Sequence, residues 1–168
     1  MNEEDFKVKQ LNLWKVKYTL GNNRVDVKLK HIWLEVKGQN EDIYTMLAQI
    51  IFTARPAKLR SEELPIYFGC FNKEVGAIID NYQVQKVFTY TDIDWKQKPS
   101  NLDTKTIEIV KNILTEVKVY NLDEFGKILQ ELEKNHLYQP ALFGGNKCKA
   151  IRWYWRGKNK GNHNFIKG

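Results

Sequence analysis

Cysteine is scarce: Cys70 and Cys148 are the only two in 168 residues. Two such distant thiols make neither a C-x-x-C metal pattern nor a disulfide framework. Both read as core or near-core thiols of a protein in a reducing cytoplasm. Histidine is nearly as rare, and His31, His136 and His163 are too scattered for a zinc spacing. No apolar run reaches the roughly 18 residues of a membrane span, so no membrane association is expected. The opening Met1-Asn2-Glu3-Glu4-Asp5 is acidic and lacks the apolar stretch of a secretory leader. No internal repeat or low-complexity segment occurs.

What is present is enough apolar material for a core. The chain is 42% hydrophobic and 12% aromatic at 19.9 kDa, which suits one domain over residues 1–168. Its net charge is +7, and the excess is confined to one end. Residues 1–140 are neutral in sum. Residues 141–168 carry Lys147, Lys149, Arg152, Arg156, Lys158, Lys160 and Lys167, with no acid. A neutral body with one basic segment suits a polyanionic partner, and DNA is the expected one. Within that segment Arg152-Trp153-Tyr154-Trp155-Arg156 interleaves rings with guanidinium groups. On a strand, Trp153 and Trp155 would pack inward. The flanking basic residues would contact phosphates, which positions a duplex without reading its sequence.

Periodicity divides the chain into mixed elements. Leu11–Thr19 alternates and predicts a strand, and Gly21-Asn22-Asn23 a turn. Arg24–Lys30 and His31–Lys37 alternate cleanly and predict a hairpin with one wet face, ended by Gly38. Asn40–Ala54 takes helical period through Ile43, Met46, Leu47, Ile50 and Ile51, with Asn40 as N-cap and Pro56 as terminator. Leu64–Phe71 and Val75–Ile79 predict a second hairpin, and Lys86–Tyr90 a short strand. Asp92–Asn101 predicts an irregular excursion. Thr104–Val117 and Leu122–Leu132 predict helices. Gly144-Gly145-Asn146 predicts a turn and Lys149–Trp155 a last strand. The expected class is a mixed α/β domain with much antiparallel pairing.

The chemistry concentrates at Asp26 and Glu35-Val36-Lys37. A turn centred on Lys30–His31 would pair Lys28 with Trp33, Val27 with Leu34, and Asp26 with Glu35. Directly opposed Cβ atoms lie roughly 4.5–5.5 Å apart, and Lys37 shares that face. Two carboxylates so close repel unless a cation lies between them. Mg²⁺ suits such a pair, because it takes one or two carboxylates plus waters and substrate phosphate. A cation held by Asp26, Glu35 and the Val36 carbonyl would polarise a phosphodiester and acidify a water. Lys37 would orient that water or neutralise developing charge.

These residues resemble the PD-(D/E)xK nucleases of the restriction-endonuclease-like superfamily, over roughly residues 10–80. Asp26 matches the first acid and Glu35-Val36-Lys37 the E-x-K of the next strand. The proline that often precedes the first acid is absent; Val25 stands there. The resemblance implies a restriction-endonuclease-like core, a mixed sheet flanked by helices, and a helix crossing the sheet after E-x-K. It implies a polar residue on that helix near the site, for which Gln49 is the candidate. It also implies an acid on an N-terminal helix, for which Glu3 and Glu4 are the candidates, on what would be a very short helix. Phe68-Gly69-Cys70-Phe71 and Asp92-Ile93-Asp94-Trp95 faintly resemble domains near adenine DNA methyltransferases.

The expected function is a Mg²⁺- or Mn²⁺-dependent DNA endonuclease of a bacterial restriction or phage-defence system. The expected partners are DNA, a methyltransferase or other restriction subunit, and a second copy of the chain. The alternative is a non-catalytic nucleic-acid-binding or interaction domain of a larger methyltransferase-type protein.

Overall fold

The computed structural model describes residues 2–21 and 25–135. The expected Lys149–Trp155 strand, the Gly144-Gly145-Asn146 turn and the whole basic segment lie outside the described residues. So do Asn22 and Asn23 of the first expected turn.

Among the described residues, a six-stranded mixed sheet, in the order β1-β2-β3-β4-β5-β6, is flanked by helices on both faces. Its strands are β1 (Thr19–Leu20), β2 (Val27–Lys28), β3 (Ile32–Val36), β4 (Tyr67–Phe71), β5 (Val75–Asp80) and β6 (Lys118–Asn121). Only β3 and β4 pair in parallel; every other neighbour pair is antiparallel. A parallel pair needs a crossover. Helix α2 (Ile43–Leu59) supplies it.

The strands' side chains face two cores. Val27, Ile32, Leu34, Val36, Tyr67, Phe71 and Ile78 pack beneath α1 (Glu3–Trp14) and α5 (Leu122–Asn135). Trp33, Phe68, Cys70, Ala77 and Ile79 pack beneath α2, α3 (Asn81–Phe88) and α4 (Thr104–Ile113). Every residue of β3 is buried, so the β3 half of the hairpin's expected wet face, Trp33 and Glu35, is covered by α2, while Lys28 and Lys30 on the other half are exposed. Among the described residues no helix is long and apolar enough to cross a membrane.

Several expected elements are corrected. Leu11–Thr19 is not a strand: it begins inside α1, and only Thr19 enters β1. Asn2 caps α1 by accepting from the Asp5 N–H at 2.8 Å, and Glu3, Glu4 and Asp5 suit the positive end of the helix dipole. Phe6, Leu11 and Trp14 face inward at helical spacing, whereas Leu13 is 68% exposed. Lys86–Tyr90 is not a strand either, because α3 runs through Phe88. Asp80 caps it, and Val84 and Val87 are its buried apolar residues. Asp42, not Asn40, caps α2, accepting from Thr45 N–H at 3.0 Å.

Pro56 does not end α2, which continues to Leu59. The proline removes one i→i−4 bond near the last turn, and packing of Ala54 and Ala57 in the core offsets that loss. Finally, β6 went unread between two helices. It is a four-residue edge strand with Val119 exposed.

The capping assignment is testable. Asp42→Ala is expected to cost about 1 kcal/mol of unfolding free energy, the usual worth of an N-cap. Asn40→Ala is expected to cost less than half of that, as read by urea denaturation.

Candidate active site

The site begins with the β2–β3 turn. Val27 pairs with Leu34 and Lys28 with Trp33, and Leu29 N–H donates to the Ile32 carbonyl at 2.9 Å. This is the expected register, yet the turn is not a primed one. Among the described non-glycine residues only Lys15 and Ser61 have positive φ, so Lys30 and His31 do not. The neighbouring strand holds the turn: Tyr67 N–H donates to the His31 carbonyl at 3.0 Å.

One step beyond the ladder, Asp26 opposes Glu35. The Lys37 N–H donates to Phe71 on β4 at 3.0 Å, so the Val36 N–H turns toward β2. There the paired strand has ended, and the Asp26 carboxylate Oδ2 accepts that N–H at 3.0 Å. The bond satisfies a backbone donor and sets Asp26 beside the E-x-K strand.

Glu35 points under α2 and is only 7% exposed. Burial pushes its carboxyl up to about 8, reinforced by the charge of Asp26 and a hydrogen bond to it. Lys37 opposes that rise. Lys37 Nζ lies 3.6 Å from Glu35 Oε2. That single ammonium does not balance two carboxylates, so near neutrality the pair keeps a proton on Glu35.

Gln49 sits on the face of α2 that closes over this group. It is 7% exposed, and its buried Oε1 has no hydrogen-bond partner among the described residues. An orphaned buried acceptor is costly and calls for a donor such as water. Asp26, Glu35, Lys37 and Gln49 line one cleft of about 520 Å³. Its other wall is Trp95, Gln97, Pro99 and Ser100, from the irregular excursion expected at Asp92–Asn101.

The four candidate catalytic residues therefore come together. The N-terminal acids do not join them. Helix α1 has 12 residues rather than a stub, and the Glu3 carboxylate accepts from Gly38 N–H at 3.1 Å, at the end of the E-x-K strand. A Cβ at Gly38 would lie 3.0 Å from Glu3 Cα, so glycine permits that close approach. Glu4 pairs with the buried Lys7. Neither Glu3 nor Glu4 lines the cleft. The DNA-binding candidates Lys147, Lys149, Arg152, Arg156, Lys158 and Lys160 lie outside the described residues.

The donor set fits one hard divalent cation. Two under-compensated carboxylates and an orphaned amide oxygen are oxygen ligands or water-holding groups of the type Mg²⁺ and Mn²⁺ take. Among the described residues no group of three His, Cys, Asp or Glu could form an all-protein cage. Waters and substrate would have to complete the shell. Cys70 lies behind the site on β4, where burial pushes its thiol far up, so it is an inert neighbour.

Sequence reading missed the second wall of the cleft. Arg55 and Trp95 lie 40 residues apart in sequence, and their pairing leaves no local pattern. No protein-family model, curated protein or solved structure matches the chain.

A raised carboxyl pKa makes stability fall with pH. The protonated Glu35 favours the fold; its contribution is complete below about 4.5 and is lost as pH rises through about 8. Without divalent cations, Glu35→Gln is thus expected to be more stable than wild type above about pH 8. The gain should be on the order of a few kcal/mol, at about 1.4 kcal/mol per pKa unit. The difference should grow from about pH 4.5 and level off above about 8, and below about pH 4.5 the two should converge, as read by denaturation across a pH series.

Proposed function

We propose that the chain is a Mg²⁺- or Mn²⁺-dependent DNA endonuclease with a restriction-endonuclease-like core, acting in a restriction or phage-defence system. The observation that carries this reading is the convergence of Asp26, Glu35, Lys37 and Gln49 at one cleft, with a carboxylate pair short of positive charge. A structural ion pair would balance its charges; this pair instead raises the pKa of Glu35, as metal-free acidic sites do.

A divalent cation held by the Asp26 and Glu35 carboxylates would supply a Lewis acid for a phosphoryl oxygen and lower the pKa of water. The chain's own groups do the rest. Asp26 is anchored by the Val36 N–H, which fixes its carboxylate beside Glu35. Glu35 would have to give up its proton to hold such a cation, which would make cation binding proton-linked. Lys37 orients the attacking water and offsets the negative charge that builds on the phosphorane. The Gln49 Oε1 accepts from that water. Attack in line with the 3′-oxygen would form the bond from water to phosphorus and break the bond to O3′; the water's proton passes to solvent and a solvent water protonates the leaving oxygen, which gives a 5′-phosphate and a 3′-hydroxyl. The basic segment 141–168 adds sequence-independent attraction to DNA. Cutting both strands takes two such sites, which a homodimer or a larger assembly of this chain would supply.

The test is nicking of supercoiled plasmid in Mg²⁺ or Mn²⁺, with an EDTA control. Asp26→Ala, Glu35→Ala and Lys37→Ala should each lose at least about 100-fold in rate, the lower range for removing a proton-transfer or charge-stabilising group. Mg²⁺ should also raise the melting temperature of wild type but not of Asp26→Ala. Equal nicking by all four proteins would sink the assignment. DNA binding without nicking in any of them would favour the non-catalytic binding domain.

A further inference from the structure

The cleft contains a cation that the acid pair does not use. Its lining carries two acids, Asp26 and Glu35, and two bases, Lys37 and Arg55. Lys37 is committed to Glu35 at 3.6 Å. Arg55 has no ion pair among the described residues. Its guanidinium carbon instead lies 4.5 Å from the Trp95 ring centroid. Stacking orients the plane of a guanidinium yet consumes none of its N–H donors.

The support beneath Arg55 is built rather than incidental. Trp95 packs on Phe52 of α2, with ring centroids 4.5 Å apart. The loop carrying Trp95 is tied down by Gln97. Its Nε2 donates to the Asp94 carbonyl at 2.9 Å and to Thr106 Oγ1 at 2.8 Å, and its Oε1 accepts from Asp103 N–H at 2.8 Å. Arg55 also shares its helix with Gln49, Phe52, Thr53 and Pro56, which face the same cleft. A held, planar, uncompensated fork beside an acid–lysine group is suited to an anion with paired oxygens.

We infer that Arg55, stacked on Trp95, is a phosphate-binding residue of this cleft that takes a backbone phosphate next to the one being cut. The inference rests on the nuclease reading and deepens it by naming how the strand is held. Trp95 serves as the support for the guanidinium, already flanked by Phe52 and Arg55, and not as a stacking platform for a base. With Lys37 at the scissile phosphate and Arg55 at its neighbour, the strand has two fixed points along the cleft.

The test is binding, scored apart from cleavage. Full-length chain carrying Asp26→Asn is titrated, in Mg²⁺, against a short fluorescein-labelled duplex over a series of salt concentrations. Adding Arg55→Ala should weaken binding about tenfold and reduce the salt slope by about one, the signature of one lost phosphate contact. Arg55→Lys should keep the slope and recover part of the affinity, since the charge stays and the fork goes. Trp95→Leu should weaken binding several-fold with the slope kept. Unchanged affinity and slope in Arg55→Ala would overturn the inference, as would weaker binding at an unchanged slope, which means lost packing. The nuclease reading fails separately, through equal plasmid nicking by wild type and Asp26→Ala.

Discussion

Five parallel pairs, from Ile32–Tyr67 to Val36–Phe71, hold β3 in the middle of the sheet. That pairing demands a crossover, and the crossover is α2, laid across one face of β3. From this follow the burial of Trp33 and Glu35, the closing of the His31 turn by Tyr67, and the positions of Gln49 and Arg55 opposite the E-x-K strand. An antiparallel hairpin alone would have left Glu35 in water at an ordinary carboxylate pKa. The same residues in the same register would then hold no unusual charge.

Burial turns an acidic pair into a chemical device. Desolvation is the largest cause of the Glu35 rise, and Asp26 adds repulsion that Lys37 does not cancel. Asp26 is held by a backbone N–H at the end of β2, where the sheet leaves a donor unpaired. One short strand thereby does two things: it stops early enough to free Val36, and it delivers the carboxylate that satisfies it. The opposite wall needs its own support, and Gln97 ties that excursion to α4 through Thr106 and Asp103. The cleft is thus framed by strand ends, a crossover helix and a braced loop.

Much of this was legible along the chain. The alternation of Val27 and Leu29 against Ile32, Leu34 and Val36 set the Asp26–Glu35 opposition, because a slip of one residue would turn these apolar side chains to the other face; Val25 departs from it and packs in the core under α2. The 3.6-residue period of Met46, Leu47, Ile50 and Ile51 located α2, and with it Gln49. Errors arose where two periods compete over a short window. Leu11, Leu13, Val16 and Tyr18 alternate, yet the Asn2 cap and the inward Phe6, Leu11 and Trp14 favour a helix. Lys86–Tyr90 has strand-like composition, but the Asp80 cap starts a helix that runs through it. Pro56 reads as a stop, and packing carries the helix past it.

Local chemistry was enough to name the mixed α/β class, the hairpin register and four side chains able to meet at one place. Those properties depend on spacing along a single strand or helix, which a linear pattern records. Whether the hairpin's charged face would be wet or buried was decided by β4 and α2, which arrive from elsewhere in the chain. The Arg55–Trp95 wall was decided in the same way, by contact between residues 40 apart. Such contacts set desolvation, and desolvation sets the charge state of Glu35. No pattern within the Asp26–Lys37 segment encodes it.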